Sequence, residues 1–250
     1  MHYAVITGVS KGLGASIAEE LMQKGIHIIG ISRSINERLQ EKADQHQVSY
    51  THYSCDLSSV ADLEEVFGAV AERLSQIEAQ SVYVVNNAGV VEPIDRVGSL
   101  ASQHVVQHVH VNYIAPMLIT NLMYQQLATT PVTVVNITSG AAEKTIYGWS
   151  VYGSTKAALN HFTRTVAVEQ GEGSKHVSIA FSPGVMDTDM QGDIRSSSKE
   201  AFQDVEKFQQ MKQQGMLRDT TVVAQAVVRL LFQETISNGQ VYHVNDLLDE

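Results

Sequence analysis

In the stretch Tyr3-Ala-Val-Ile-Thr-Gly-Val-Ser-Lys-Gly-Leu-Gly14, a short apolar run breaks at Thr7-Gly8 and a glycine-rich turn follows. The run, Tyr3 to Ile6, reads as a buried strand. From Gly14 an apolar pattern resumes at Ile17, Ala18, Leu21 and Met22, which is helical spacing, and Gly25 stands where a C-terminal helix cap belongs. Strand, glycine turn, helix sets backbone N–H groups and the positive end of a helix dipole against a phosphate. Gly8 lets the chain turn, Gly12 admits a phosphate close to the backbone, and Gly14 lets helix and strand pack tightly. The spacing is Gly-x-x-x-Gly-x-Gly, not the Gly-x-Gly-x-x-Gly of the general dinucleotide fingerprint. Glycines alone mark only a turn. Their place directly after the first strand favours a phosphate cradle.

Length and composition bound what such a cradle serves. A chain of 250 residues with 44% hydrophobic content buries one large core or two small ones. A formal net charge of -10 disfavours binding that depends on neutralising nucleic-acid phosphates. Cys55 is the one cysteine, so an intramolecular disulfide or a cysteine-rich zinc site is excluded, and no metal site is expected. No basic leader with a cleavage site and no bilayer-length apolar run is present, so a cytoplasmic location away from membranes is expected.

Working outward from the turn, further strands are expected at Ile26 to Ile31, Val48 to Cys55, Val82 to Val85, Val132 to Ile137, Val177 to Phe181 and Gly239 to Val244. Helices are expected between them. They cover Asn36 to Gln45, a stretch capped by Ser58 or Ser59, a long stretch from about Ala101 to Leu127 with a kink or local end at Pro116, and Val151 to Glu169. Gly184 to Ser198 reads as irregular and polar, Lys199 to Gln214 as a helix behind it, and Asp219 or Thr220 as the cap of another. Strands apolar on both faces alternate with helices throughout, without linker or repeat. The expectation is a single α/β domain over residues 1–250, with a doubly wound parallel sheet of about seven strands and a substrate loop at 184–216.

Ligands of such a sheet bind beyond the carboxyl ends of the strands. The small, polar or charged residues there become the candidates. They are Gly8 to Gly14, Arg33, Asp56, Asn86 to Gly89, Ser139 and Pro183-Gly184. Tyr152 and Lys156, four apart at the start of a helix, point to one side. A phenol is a poor acid at neutral pH, with an unperturbed pKa of roughly 10, and a neighbouring ammonium would lower that value. Tyr152 could then exchange a proton with a substrate oxygen that Ser139 holds. Taken alone, Tyr-x-x-x-Lys is as well read as a solvated helix face.

The set as a whole is more specific. Thr7-Gly-x-x-x-Gly-x-Gly14, Asn86-Asn-Ala-Gly89, Ser139, Tyr152-x-x-x-Lys156 and Ser182-Pro-Gly184 stand in the order and at the spacings of the short-chain dehydrogenase/reductases, and the resemblance covers essentially the whole chain. It implies Tyr152 as catalytic acid/base, Lys156 as the residue that tunes it and binds the nicotinamide ribose, and Ser139 as the group that orients the carbonyl. Asn112 in Val109-His-Val-Asn-Tyr113 matches the Asn that completes a proton relay through water. Gly148-Trp-Ser-Val-Tyr-Gly-Ser-Thr-Lys156 and Ala180 to Gln191 resemble the sepiapterin-reductase-like branch, and within it its benzil-reducing members. Where sepiapterin reductases carry an Asp that grips the pterin, this chain has His243, a departure that leaves the reduction chemistry intact.

Cofactor choice rests on charge. An acidic residue at the end of the second strand serves the ribose 2′-hydroxyl of NAD, but Ser32-Arg33-Ser34 stands there, with no acid before Glu37. Arg33 with Ser34, and Lys11 beside Ser10 in the turn, suit the 2′-phosphate of NADPH/NADP. The resemblance further implies that Asp56-Leu57 lies beside the adenine, that Leu13 and Asn87-Ala88-Gly89 line the cleft, that Pro183 and Gly184 bind the cofactor, and that Val185 and Thr188 touch the carboxamide. Trp149, Met186 and Met190, with Ser139 and Tyr152, are the candidate substrate wall. His104, His108 and His110 read as helix-surface residues rather than metal ligands, and Cys55 as a buried strand residue. The expected activity is NADPH-dependent reduction of one carbonyl of a small aromatic 1,2-diketone. A pterin or general ketone reductase and a non-catalytic NADP-binding sensor are the alternatives. The family resemblance implies a homodimer or homotetramer.

Overall fold

The computed structural model describes residues 1–233 and 235–248. Seven strands form one parallel sheet in the order β3-β2-β1-β4-β5-β6-β7. They are β1 His2–Thr7, β2 His27–Ile31, β3 Tyr50–Tyr53, β4 Ser81–Asn86, β5 Val132–Ile137, β6 His176–Ser182 and β7 Val241–His243. Helices α1 Gly12–Met22, α2 Glu37–Gln45 and α3 Val60–Gln76 follow the first three strands. Then come α4 Ser102–Val109, α5 Ala115–Gln126 and α6 Ser150–Gln170, and finally α7 Asp189–Ser196, α8 Val205–Gln213, α9 Thr220–Leu231 and α10 Val244–Leu248.

The sheet is covered on both faces because its strands alternate what they offer each side. Ala4 and Ile6 of β1 join Ile17 and Leu21 of α1 and Val223 and Val227 of α9, whereas Tyr3 and Val5 join Leu63 and Phe67 of α3 and Ile119 of α5. Truncating a side chain as deeply placed as Phe67 to alanine costs about 3–5 kcal/mol. Of the two cap candidates at each helix start, Ser59 accepts from the N–H of Asp62 at 3.2 Å, and Asp219 accepts from that of Thr221 at 2.7 Å.

The strand order reverses between β1 and β4, which opens a crevice at their carboxyl ends. A short hydrogen-bond set closes its floor. Thr7 Oγ1 accepts from the N–H groups of Asn87 and Ala88, each at 3.0 Å, and Asn87 Nδ2 donates to the Thr7 carbonyl at 2.9 Å. Gly14 passes so close that a Cβ there would lie 2.3 Å from the Gly8 carbonyl oxygen. Its role in tight strand-to-helix packing is thereby a steric necessity.

Five expectations need correction. The stretch 184–198 contains a helix, α7, whose only apolar contacts are Met190 and Ile194, too few to show a period. The helix expected from Lys199 begins only at Val205, because Phe202 turns inward and the Ala201 carbonyl packs against Gly148. The break expected at Pro116 takes the form of a π turn just ahead of it, His110–Ile114, after which helix resumes with Pro116 in the first turn of α5. Strand β7 stops at His243, where α10 starts. Strand β3 is shorter than expected, ending at Tyr53, two residues before the buried Cys55.

Candidate active site

Strand β5 and helix α6 bring the reactive side chains together. Asn86 Nδ2 donates to Asn136 Oδ1 at 2.8 Å, and Asn136 Nδ2 to Thr163 Oγ1 at 3.0 Å, so a buried polar ladder registers β4, β5 and α6. Thr138 Oγ1 donates to the Lys156 carbonyl at 3.3 Å. Ser139, directly after β5, uses its Oγ to accept from the N–H of Ala141 at 3.2 Å, which caps the short turn Gly140–Ala142.

Tyr152 and Lys156 face the same way but are buried, at 8% and 5% exposure, rather than solvated. That removes the reading of a plain helix surface. Lys156 Nζ donates to the Ile137 carbonyl at 2.8 Å and stands 5.9 Å from the centre of the Tyr152 ring. Burial lowers the Lys156 pKa to about 8. The phenol differs from the expectation. Burial pushes the Tyr152 pKa up, and hydrogen bonding to Ser139 pulls only partly the other way. Desolvation penalises the phenolate more than its surroundings stabilise it.

Asn112 sits inside the π turn. Its Oδ1 accepts from the Val90 N–H at 2.8 Å and its Nδ2 donates to the Val90 carbonyl at 2.7 Å. Gly89 is squeezed between this amide and Lys156. A Cβ there would stand 3.3 Å from Asn112 Oδ1 and 3.7 Å from Lys156 Nζ. Pro116 has no N–H to offer the Asn112 main-chain carbonyl four residues earlier.

The reading of His108 as a helix-surface residue is wrong. It is 0% exposed, and its ring contacts the Glu92 carbonyl, Asn112 Nδ2 and Thr155 Oγ1. The signal was available in its spacing, since a residue four before Asn112 shares its helix face. His104 is exposed and His110 half-buried.

The cofactor candidates divide. Gly8 and Gly12 have positive φ, 74° and 62°, and a Cβ on Gly12 would meet only Thr188 Cγ2 at 3.7 Å, so the turn keeps an open floor. Ser10 is half-buried beside it, and Arg33 and Ser34 are exposed at the end of β2. Asp56 Oδ1 accepts from the N–H and Oγ of Ser58, at 2.9 and 2.8 Å. Those bonds, with a smaller contribution from the Arg33 charge, hold its carboxyl below the usual range. Leu57 packs on the α3 side of the sheet. Pro183 is buried and Gly184 exposed with φ 71°, beside Arg218. Two placements depart from expectation. Leu13 points into the core under α1 rather than into the cleft. Lys11 forms an ion pair with Asp189, the first residue of α7, rather than standing free as a cation for a phosphate.

The wall beside Tyr152 is aromatic. The Trp149 ring stacks on Phe202 at 5.0 Å and meets Tyr152 edge-on at 5.2 Å, and Phe208 closes the group. Met190 and Val185 pack against this cluster, whereas Met186 packs against the main core. Phe202, Phe208 and Ile194 were missed because the segment carrying them has no continuous period. His243, at the end of β7, places Nε2 3.8 Å from the Glu143 carboxylate on the same rim.

A family model described as short chain dehydrogenase matches residues 2–199. The chain is 36% identical over 249 residues to a benzil reductase ((S)-benzoin forming) of Bacillus cereus, covering 98% of this chain and 100% of that one. It is 38% identical over 251 residues to the protein of the same name from Bacillus subtilis (strain 168), covering 99% and 100%. Sepiapterin reductase of Bos taurus is 28% identical over 259 residues, covering 98% and 94%. Among solved structures, that of the KRED1-Pglu enzyme superposes with a TM-score of 0.85 at 26% identity, covering 96% of this chain and all (100%) of that one.

Proposed function

Because this chain belongs to the short-chain dehydrogenase family, as an oxidoreductase of carbonyl and hydroxyl groups, we propose that it is an NADPH-dependent reductase of small aromatic 1,2-diketones, of the benzil to (S)-benzoin type. The observation that carries the reading is the meeting of Ser139, Tyr152 and Lys156 beneath the Trp149–Phe202 wall.

The residues present fit a nicotinamide dinucleotide. The turn is open at Gly12, Gly89 keeps the approach to Lys156 free of a side chain, and Arg33 offers an exposed cation at the end of β2. Bound there, the cofactor supplies a hydride. Tyr152 gives its phenolic proton to the substrate oxygen as negative charge gathers on it, and Ser139 donates a hydrogen bond to the same atom. A raised phenol pKa suits that direction, since a reduction consumes the protonated form. Lys156, still mostly ammonium at neutral pH with its pKa near 8, stabilises the phenolate left behind. Asn112 orders the proton path behind Lys156. Hydride at carbon and proton at oxygen together convert one C=O of the dione into CH–OH.

A 1,2-dione is the favoured acceptor because the second carbonyl makes the reacting carbon more electrophilic. Trp149 and Met190, with Phe202, supply an apolar wall for the aryl group. Helix α7, joined to the glycine turn by the Lys11–Asp189 pair, packs Met190 and Ile194 on the aromatic cluster, from where it would keep solvent off a bound substrate. A homodimer or homotetramer through α5 and α6 is part of the same reading.

The test is NADPH consumption with benzil, acetophenone and sepiapterin under one set of conditions, repeated with NADH. Benzil with NADPH should be preferred and should be reduced once. A preference for sepiapterin would make this a pterin reductase despite His243, and cofactor binding without turnover of any carbonyl would make it a sensor.

A further inference from the structure

We propose that His108 is a positioning residue of this site, a neutral imidazole protonated on Nδ1 that locks the Asn112 amide and ties it to the helix carrying Tyr152 and Lys156. The inference rests on the reduction proposed above and adds a residue to its machinery.

Hydrogen-bond logic assigns the tautomer. His108 Nδ1 lies 2.6 Å from the Glu92 carbonyl oxygen, which can only accept, so Nδ1 carries the proton. In the neutral ring Nε2 is then an acceptor. Asn112 Nδ2 stands 2.9 Å from it and Thr155 Oγ1 3.1 Å. The Val90 main chain fixes which amide atom of Asn112 is nitrogen, because its N–H donates to Oδ1 and its carbonyl accepts from Nδ2. Both amide hydrogens are thereby used, one by Val90 and one by His108. The Thr155 hydroxyl gives its one hydrogen to the Tyr152 carbonyl at 2.9 Å, so Nε2 takes its hydrogen from Asn112 and meets the Thr155 oxygen as a packing contact on the helix that bears the proton donor. The His108 ring meets the Tyr152 ring edge-on at 6.0 Å.

Three segments distant in sequence therefore converge on one imidazole. They are the loop after β4 through Glu92, the π turn through Asn112, and α6 through Thr155. Burial keeps the ring neutral; the Glu92 carbonyl opposes this and the Lys156 charge assists it. The titratable side chains facing it are Tyr152 and Lys156. A charged ring would present a second N–H at Nε2, against the Asn112 amide hydrogens, and the lock would open.

Two near-isosteric variants separate the roles of the two nitrogens. His108→Gln can keep an acceptor where Nε2 stands. His108→Asn can keep the donor to Glu92 but leaves Asn112 Nδ2 without its acceptor. We expect kcat with the best carbonyl substrate to stay within about threefold of the parent for Gln and to fall roughly 10- to 100-fold for Asn, as small misplacements of reacting groups do. NADPH affinity and melting temperature should stay close to those of the parent in both. Equal kcat for the two variants, or losses that follow melting temperature, would overturn the proposal. A readout independent of turnover is 15N NMR of the parent and variants with NADP bound. The His108 ring should show Nδ1–H with bare Nε2, and the Asn112 amide protons should exchange slowly in the parent and Gln protein and quickly in the Asn protein. An Nε2–H tautomer in the parent, or unchanged Asn112 exchange in the Asn protein, defeats the positioning role. Absence of turnover by the parent with every carbonyl defeats the reading of function instead and leaves the NMR result to judge His108.

Discussion

Lys156 Nζ donates to the main-chain carbonyl of Ile137 at 2.8 Å, which seats an amine at the buried end of β5 with no carboxylate paired to it among the described residues. Its pKa falls from the ordinary 10.5 to about 8 because burial disfavours the ammonium. The unfolded chain therefore binds that proton more tightly, and stability rises as pH climbs from about 8 to 10.5. Below that window the charge is a standing cost to the fold. Lys156→Met should increase unfolding free energy at neutral pH by up to about 3 kcal/mol, with the gain shrinking as pH approaches 10.5. NADPH binding and turnover should both fall. Urea melts at neutral and alkaline pH, with a cofactor titration, would check this, and a destabilised Met variant at neutral pH would refute it.

Tyr152→Phe removes one oxygen from a ring that keeps its packing on Trp149 and His108. NADPH binding should be nearly unchanged, while kcat drops by about 100-fold or more. Near-normal turnover would remove Tyr152 as proton donor.

Arg33 is exposed at the end of β2, close enough to Asp56 to influence its carboxyl. A charge-assisted contact with a 2′-phosphate is worth roughly 1.5–3 kcal/mol. Arg33→Asp should therefore raise the NADPH KM by about 10- to 100-fold and leave that for NADH little changed. Equal use of the two cofactors by the parent would sink the assignment.

Phe202 is fully buried and stacked on Trp149. Phe202→Leu should cost about 1–2 kcal/mol of stability and raise KM for benzil more than for butane-2,3-dione, which has no aryl group to seat. A uniform rise for both diones would mean that the aromatic cluster only supports the fold.

His108 and His176 are both buried, and both have pKa values held below the ordinary 6.5, chiefly by burial. As pH falls below 6.5 the unfolded chain takes up protons that the folded chain refuses, so stability drops through that window. The His176 ring stacks on Tyr124 at 4.4 Å and 12°. His176→Phe keeps the stack and removes the titration, so it should flatten the acid loss. Melting curves of the two proteins from neutral to mildly acidic pH decide; parallel acid losses would contradict it.

The alternation of strands and helices, the turn at Gly8 to Gly14 and the pair Tyr152 and Lys156 are legible in the chain itself. Each depends on neighbours within one or two turns of backbone, where a period of 2 or 3.6 and the chemistry of a glycine turn leave a mark. Only the tertiary structure decided that Lys11 meets Asp189, that Leu13 faces the core and Met186 leaves the wall, and that Phe202 and Phe208 complete it. The same holds for His108. Its spacing from Asn112 was visible, but its burial against Glu92 and Thr155 comes from segments that meet only when β4, the π turn and α6 are packed. The direction of the Tyr152 shift belongs here too. A sequence shows that a lysine stands four residues from a tyrosine, but the balance between that charge and lost hydration is set by how much water the fold removes.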